Sequence, residues 1–118
     1  MEININCDLG EKSKLHSNES DPELLKIVNS ANIACGYHAG DEDTMSEVIK
    51  ISKNNGVSIG AHPSFKDPEN FGRERMNLSA SEIKKLIIDQ YEILQNLAIK
   101  QGENVTHIKP HGALNNMA

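Results

Sequence analysis

Asn32-Ile33-Ala34-Cys35-Gly36-Tyr37-His38-Ala39-Gly40-Asp41 is the stretch on which the fold turns. Ile33 to Cys35 is a short apolar run that reads as a buried strand, and it empties into glycines, a histidine and an aspartate. From Asp41 to Asn55 the apolar residues fall at helical spacing, with Met45, Val48, Ile49 and Ser52 on one face. A strand followed by a polar, glycine-flanked loop and then a helix is the repeat of a β/α protein, whose chemistry lies at the C-terminal ends of its strands.

The same unit recurs on both sides. Upstream, Glu2 to Cys7 alternates, with Ile3, Ile5 and Cys7 on one face and Asn4 and Asn6 on the other, before Asp8-Leu9-Gly10-Glu11. A polar loop containing His16 leads to Asp21-Pro22-Glu23. There Asp is placed to cap a short helix ending near Asn29, and Leu24, Leu25, Ile27 and Val28 form its stripe. Downstream, Asn54-Asn55-Gly56 predicts a left-handed helix end. Val57 to Ala61 predicts a third strand delivering His62, and Gly60-Ala61 leaves room for another backbone or a ligand. A long loop from Phe65 to Leu78 follows, carrying Arg73 and Arg75. Ser79-Ala80-Ser81-Glu82 is a capping box for the longest helix, with Ile83, Leu86, Ile87, Leu94, Leu97 and Ala98 as its stripe and Gly102 as its stop. The fourth strand is Val105 to Ile108, and it delivers Lys109-Pro110-His111.

Composition narrows the class. With 118 residues, 37% apolar, 3% aromatic and no Trp, one domain with an aliphatic core is expected. A net charge of -5 without a Lys/Arg cluster argues against a nucleic-acid face, and no apolar run reaches membrane length. The two cysteines, Cys7 and Cys35, sit in strand-like runs and read as free thiols. With no basic or apolar leader after Met1, a cytoplasmic α/β protein with a parallel sheet is expected.

Asp8, His38 with Asp41, His62, and Lys109 with His111 stand at equivalent strand ends, so they are expected to converge on one pocket. Two readings of that pocket stay open. Asp8, His38 and His62 are candidate ligands for a divalent metal that activates water, or His and Asp act directly as base and acid. Lys109 suits a phosphate or a developing oxyanion. Asp41 has a second occupation as helix cap.

The motifs Asn6-Cys7-Asp8-Leu9-Gly10-Glu11, Asn32 to Asp41, Gly60-Ala61-His62-Pro63, Phe71-Gly72-Arg73 and Lys109-Pro110-His111-Gly112-Ala113-Leu114 together closely resemble the LamB/YcsF family of bacterial 5-oxoprolinase A subunits. The resemblance implies an irregular, TIM-like β/α barrel of the kind shared with deacetylases. It implies ATP-dependent opening of 5-oxo-L-proline to L-glutamate, with B and C subunits as partners. It points to Asp8, His38, His62, Lys109 and His111 as catalytic residues, and to Asn6, Asp41 and Arg73 for substrate or phosphate. A metal-dependent deacetylase or amidohydrolase without ATP, and a non-catalytic remnant needing a partner, are the alternatives. Lys12-Ser13-Lys14 and Asn115 depart from the family pattern. Members are about twice as long, so residues 1–118 read as the N-terminal half of a barrel, truncated after the fourth strand. Another polypeptide, or a second copy in a homo-oligomer, would complete it.

Overall fold

Ile33 and Ala34 of the apolar run that opened the reading lie in the buried second strand of a four-stranded parallel sheet, and Cys35 follows it. The computed structural model describes residues 5–13, 17–66, 78–112 and 114. Its elements are β1 (Asn6–Leu9), α1 (Asp21–Leu24), β2 (Ser30–Ala34), α2 (Glu42–Asn54), β3 (Ser58–His62), α3 (Ala80–Ile99) and β4 (Val105–Ile108). The spatial order is β1-β2-β3-β4 and every pairing is parallel. Unreversed order is what successive β/α units give when they are laid side by side, as in a barrel wall, and it lacks the switch point of a doubly wound sheet.

One face of the sheet is apolar. Cys7, Leu9, Ala31, Ile33, Ile59, Ala61 and Val105 pack against Met45, Val48 and Ile49 of α2 and Leu94 and Ala98 of α3. The predicted stripe of α2 is buried at every position, Ser52 included. Each fully buried aliphatic side chain here contributes about 1.5–3 kcal/mol. Asp41 caps α2 by accepting a 2.7 Å hydrogen bond from the Thr44 N–H. The other end closes as a Schellman turn: Gly56 takes φ +66°, and the Val57 N–H reaches the Ser52 carbonyl at 2.9 Å. In α3 both halves of the Ser79/Glu82 capping box are present.

Several expectations need correcting. β1 runs through Asp8 and Leu9, and β3 runs through His62, so two residues expected just beyond strand ends belong to the strands. β2 starts at Ser30 because the N–H groups of Asn29 and Ser30 already bond the Ile5 carbonyl, which cuts the first helix to four residues. Ile27, expected in that helix's buried stripe, is exposed. Asp21 does not cap that helix; its side chain accepts instead from the Gly10 N–H at 2.8 Å. In α3, Ile83, Leu86, Ile87 and Leu97 are only half-buried, while Gln90 is fully buried. Both cysteines are free, as expected. Among the described residues no helix is long and apolar enough to cross a membrane. His16, Asn4, Arg75 and the Phe71-Gly72-Arg73 motif lie outside the described residues.

Candidate functional site

Four side chains, each from a different strand end, meet in one buried cluster: Glu11, His38, His62 and His111. Glu11 follows β1, His38 lies in the loop after β2, His62 ends β3, and His111 follows β4. Glycines bring the first two together. Gly10 turns the chain out of β1 at φ +70°, with its N–H held by Asp21. Gly40, at φ +81°, packs so closely that a Cβ there would stand 2.5 Å from the Gly10 carbonyl oxygen. Its N–H donates to the Lys12 carbonyl at 2.7 Å. No residue with a side chain fits that approach. The other pair is joined by backbone bonds from the Lys109 N–H to the Ala61 carbonyl and from the His111 N–H to the Pro63 carbonyl, both 2.8 Å.

Within the cluster Glu11 Oε2 lies 2.6 Å from His38 Nε2 and 3.7 Å from both His62 Nε2 and His111 Nδ1. His38 and His111 stack with ring centroids 4.0 Å apart, and His62 stands edge-on to both. His62 Nδ1 is 2.6 Å from the Lys109 carbonyl oxygen, which only accepts. That nitrogen therefore carries the proton, and in the neutral ring the lone pair of Nε2 faces the cluster. Burial pushes the His62 pKa down, more strongly than the Asp8 and Glu11 charges and the Lys109 carbonyl push it up. Burial also opposes ionisation of Glu11, yet the hydrogen bond and charge of His38, with the charge of His62, hold its carboxyl below the usual range.

Neutral imidazole and ionised carboxylate are the forms that bind a divalent cation. All four donor atoms lie within 4.8 Å of one another. Three nitrogens and one oxygen suit zinc before magnesium or calcium, and the Lys109 carbonyl behind His62 is the kind of outer partner that fixes a ligating imidazole. The residues present therefore fit a metal. The cysteines do not enter: burial pushes the Cys35 thiol up to about 12 and raises that of Cys7.

Asp8 stands beside the cluster. Its Oδ2 is 3.5 Å from His62 Nε2, and the Lys109 ammonium donates to Oδ1 at 2.9 Å and Oδ2 at 3.2 Å. Burial works against the charge, but His62, Lys109 and Asn32 together keep Asp8 below the ordinary carboxylate value. An open cleft of about 620 Å³ continues from Lys109 along the polar face of the sheet, past Asn6, Ser30, Asn32, Ser58, Thr106 and His107.

The structure thus brings together Asp8, His38, His62, Lys109 and His111, with Asn6 on the adjoining face. Asp41 is engaged as the cap of α2, and Arg73 is outside the described residues. Asp8, read as a candidate ligand, is paired with Lys109, and Glu11 occupies the place in the cluster. Glu11 was legible as a motif residue, but only the Gly10 turn directs it inward. Asn32 and His107 were also missed. The signal was an Asn inside an apolar strand and a His in a strand opposite a glycine.

Clustered histidines and carboxylates at the C-terminal ends of sequential parallel strands define an α/β protein of β/α-repeat type with a metal-capable polar centre. The LamB/YcsF family model matches residues 3–118, and the chain belongs to that family. It is 47% identical over 119 residues to the A subunit of 5-oxoprolinase from Nitrobacter hamburgensis, covering 100% of this chain and 47% of that protein. To the corresponding A subunit of Staphylococcus haemolyticus 5-oxoprolinase it is 45% identical over 117 residues, covering 99% of this chain and 47% of the relative. The crystal structure of the lactam utilization protein from Thermus thermophilus superposes with a TM-score of 0.89 at 37% identity, over 96% of this chain and 46% of that one. The chain spans about half the length of the curated relatives it matches.

Proposed function

We propose that this chain carries residues of a lactam-opening site that, with ATP, hydrolyses 5-oxo-L-proline to L-glutamate, as one part of a β/α barrel working with B and C subunits. The observation that supports this most is the buried Glu11-His38-His62-His111 cluster with the Lys109-Asp8 pair beside it. The relatives named as A subunits of 5-oxoprolinase supply the substrate class.

A lactam amide is resonance-stabilised, and the five-membered ring recloses readily. Transfer of the ATP γ-phosphoryl to the carbonyl oxygen activates the ring carbon. Water then adds to that carbon, the C–N bond breaks, and the nitrogen takes a proton to become the amine. The product is an acyl phosphate, which a second water hydrolyses to the carboxylate and phosphate. Displacement of phosphate without C–N cleavage would only return the lactam. Lys109 would hold the phosphorylated oxygen, with Arg73 as a second candidate, while Asp8 accepts and returns the proton of water; His62 Nε2 would share that role only where it does not hold a metal. A divalent metal would be held by Glu11, His38, His62 and His111, and it would supply a water more acidic than bulk.

Reconstitution with partner subunits tests the proposal. Glutamate release should require ATP, and Lys109→Ala and His111→Ala should each lower it at least about 100-fold, the scale of removing one transition-state donor. Unchanged turnover in both variants would refute the assignment. The four-donor cluster also favours a second reading, metal-dependent amide hydrolysis. Turnover without ATP by a zinc-loaded chain would select it.

A further inference from the structure

We infer that Asn32 and His107 are positioning residues for Asp8, and that Gly60 is what admits them; this rests on the proposed role of Asp8 in lactam opening. Asp8, Asn32, Gly60 and His107 form one row of directly paired residues across the four strands. At the third place in the row there is no side chain. A Cβ on Gly60 would stand 2.6 Å from His107 Cε1 and closer still to Nε2 and Cδ2. The imidazole occupies that volume, and a register shift between Ile59 and Gly60 aims it across β3. His107 Nε2 thereby lies 2.8 Å from Asn32 Oδ1.

The direction of each bond follows from its neighbours. Asn32 Nδ2 donates to Asn6 Oδ1 at 2.9 Å and to Asp8 Oδ1 at 3.2 Å. The reverse amide orientation would set a carbonyl oxygen against the Asp8 carboxylate. Oδ1 of Asn32 therefore faces His107 and accepts, and His107 must carry a proton on Nε2, while its Nδ1 lies 2.9 Å from the Thr106 hydroxyl. Asn32 is 1% exposed with the imidazole in place. At Asp8, Lys109 donates to both oxygens and Asn32 to Oδ1 alone, which leaves Oδ2 as the oxygen turned towards His62. The row decides which carboxylate oxygen the histidine cluster meets. Asp8 is the member of the row that meets the cluster, through His62.

Three measurements test this. In the histidine-¹⁵N-labelled chain, His107 should show one tautomer, protonated at Nε2, and Asn32→Leu should release it to a mixture. In the reconstituted enzyme, His107→Ala and Gly60→Ala should each lower kcat about 10- to 100-fold, the range for outer partners of catalytic groups, with KM within about twofold. His107→Gln, whose amide still donates, should recover most of the loss. Gly60→Ala added to His107→Ala should cost nothing further. Zinc stoichiometry should remain that of the unmodified chain, since no member of the cluster moves; loss of zinc in every variant would show a merely structural role. An Nδ1 tautomer, an unchanged kcat, or a Gln variant as impaired as Ala would overturn the inference. If the unmodified enzyme does not open the lactam, the functional reading fails, and the tautomer still decides whether the row exists.

Discussion

Gly60→Ala isolates one contact in the structure and should destabilise the chain. Its backbone is not in the left-handed region, so alanine meets no conformational penalty there and would by itself stabilise by about 0.4–1 kcal/mol through the unfolded state. Against this, the new methyl group overlaps the His107 ring. The imidazole must swing away, which leaves the buried Asn32 Oδ1 without its donor at a cost of about 1–3 kcal/mol. The net expectation is a loss of up to about 2.6 kcal/mol. In the His107→Ala background the same substitution meets no ring and should stabilise by about 0.4–1 kcal/mol. Urea denaturation of the four proteins of this double-mutant cycle measures the coupling, expected near 1–3 kcal/mol. A stabilising Gly60→Ala in the unmodified chain, or additive effects, would refute the reasoning.

Asp41→Ala should cost about 1 kcal/mol of stability at neutral pH through loss of the α2 cap. The backbone hydrogen bond from Thr44 lowers the Asp41 pKa from 3.8, so the contribution is present above that value and fades as pH falls through the lower folded pKa. The difference between the denaturation midpoints of the two proteins should therefore be smaller at pH 2.5 than at pH 7. Gln90→Leu should cost at least about 2 kcal/mol, because the Ser64 N–H and carbonyl, which the Gln90 amide pairs at 2.9 and 2.8 Å, would both be buried unmet; a melt within experimental error of the unmodified chain would contradict it. Gly40→Ala puts a Cβ at φ +81° and 2.5 Å from the Gly10 oxygen. It should lower stability by about 1–2 kcal/mol or more and, by displacing Glu11, weaken zinc in a competition titration, whereas unchanged zinc affinity would detach Glu11 from the cluster.

The repeat, the parallel sheet and the helix ends were decided by local chemistry. Alternating or continuous apolar runs, Asp41 before a helix, the Ser79/Glu82 box and the Asn55-Gly56 stop each act over a few residues, so their consequences can be read in order along the chain. Histidines after successive apolar runs point to one site for the same reason, because parallel strands deliver their ends to one edge. What only the tertiary structure decided depends on contacts between residues far apart in sequence. Asp21 looks like a cap, but the Gly10 N–H, eleven positions away, takes its carboxylate. Glu11 joins the histidines because Gly10 and Gly40 pass within contact of each other. His107 reaches Asn32, 75 positions away, only because the residue between them in the sheet is glycine. Spacing along a chain reports which face a side chain leaves from. Which partner it meets is set by register and by the space its neighbours leave open.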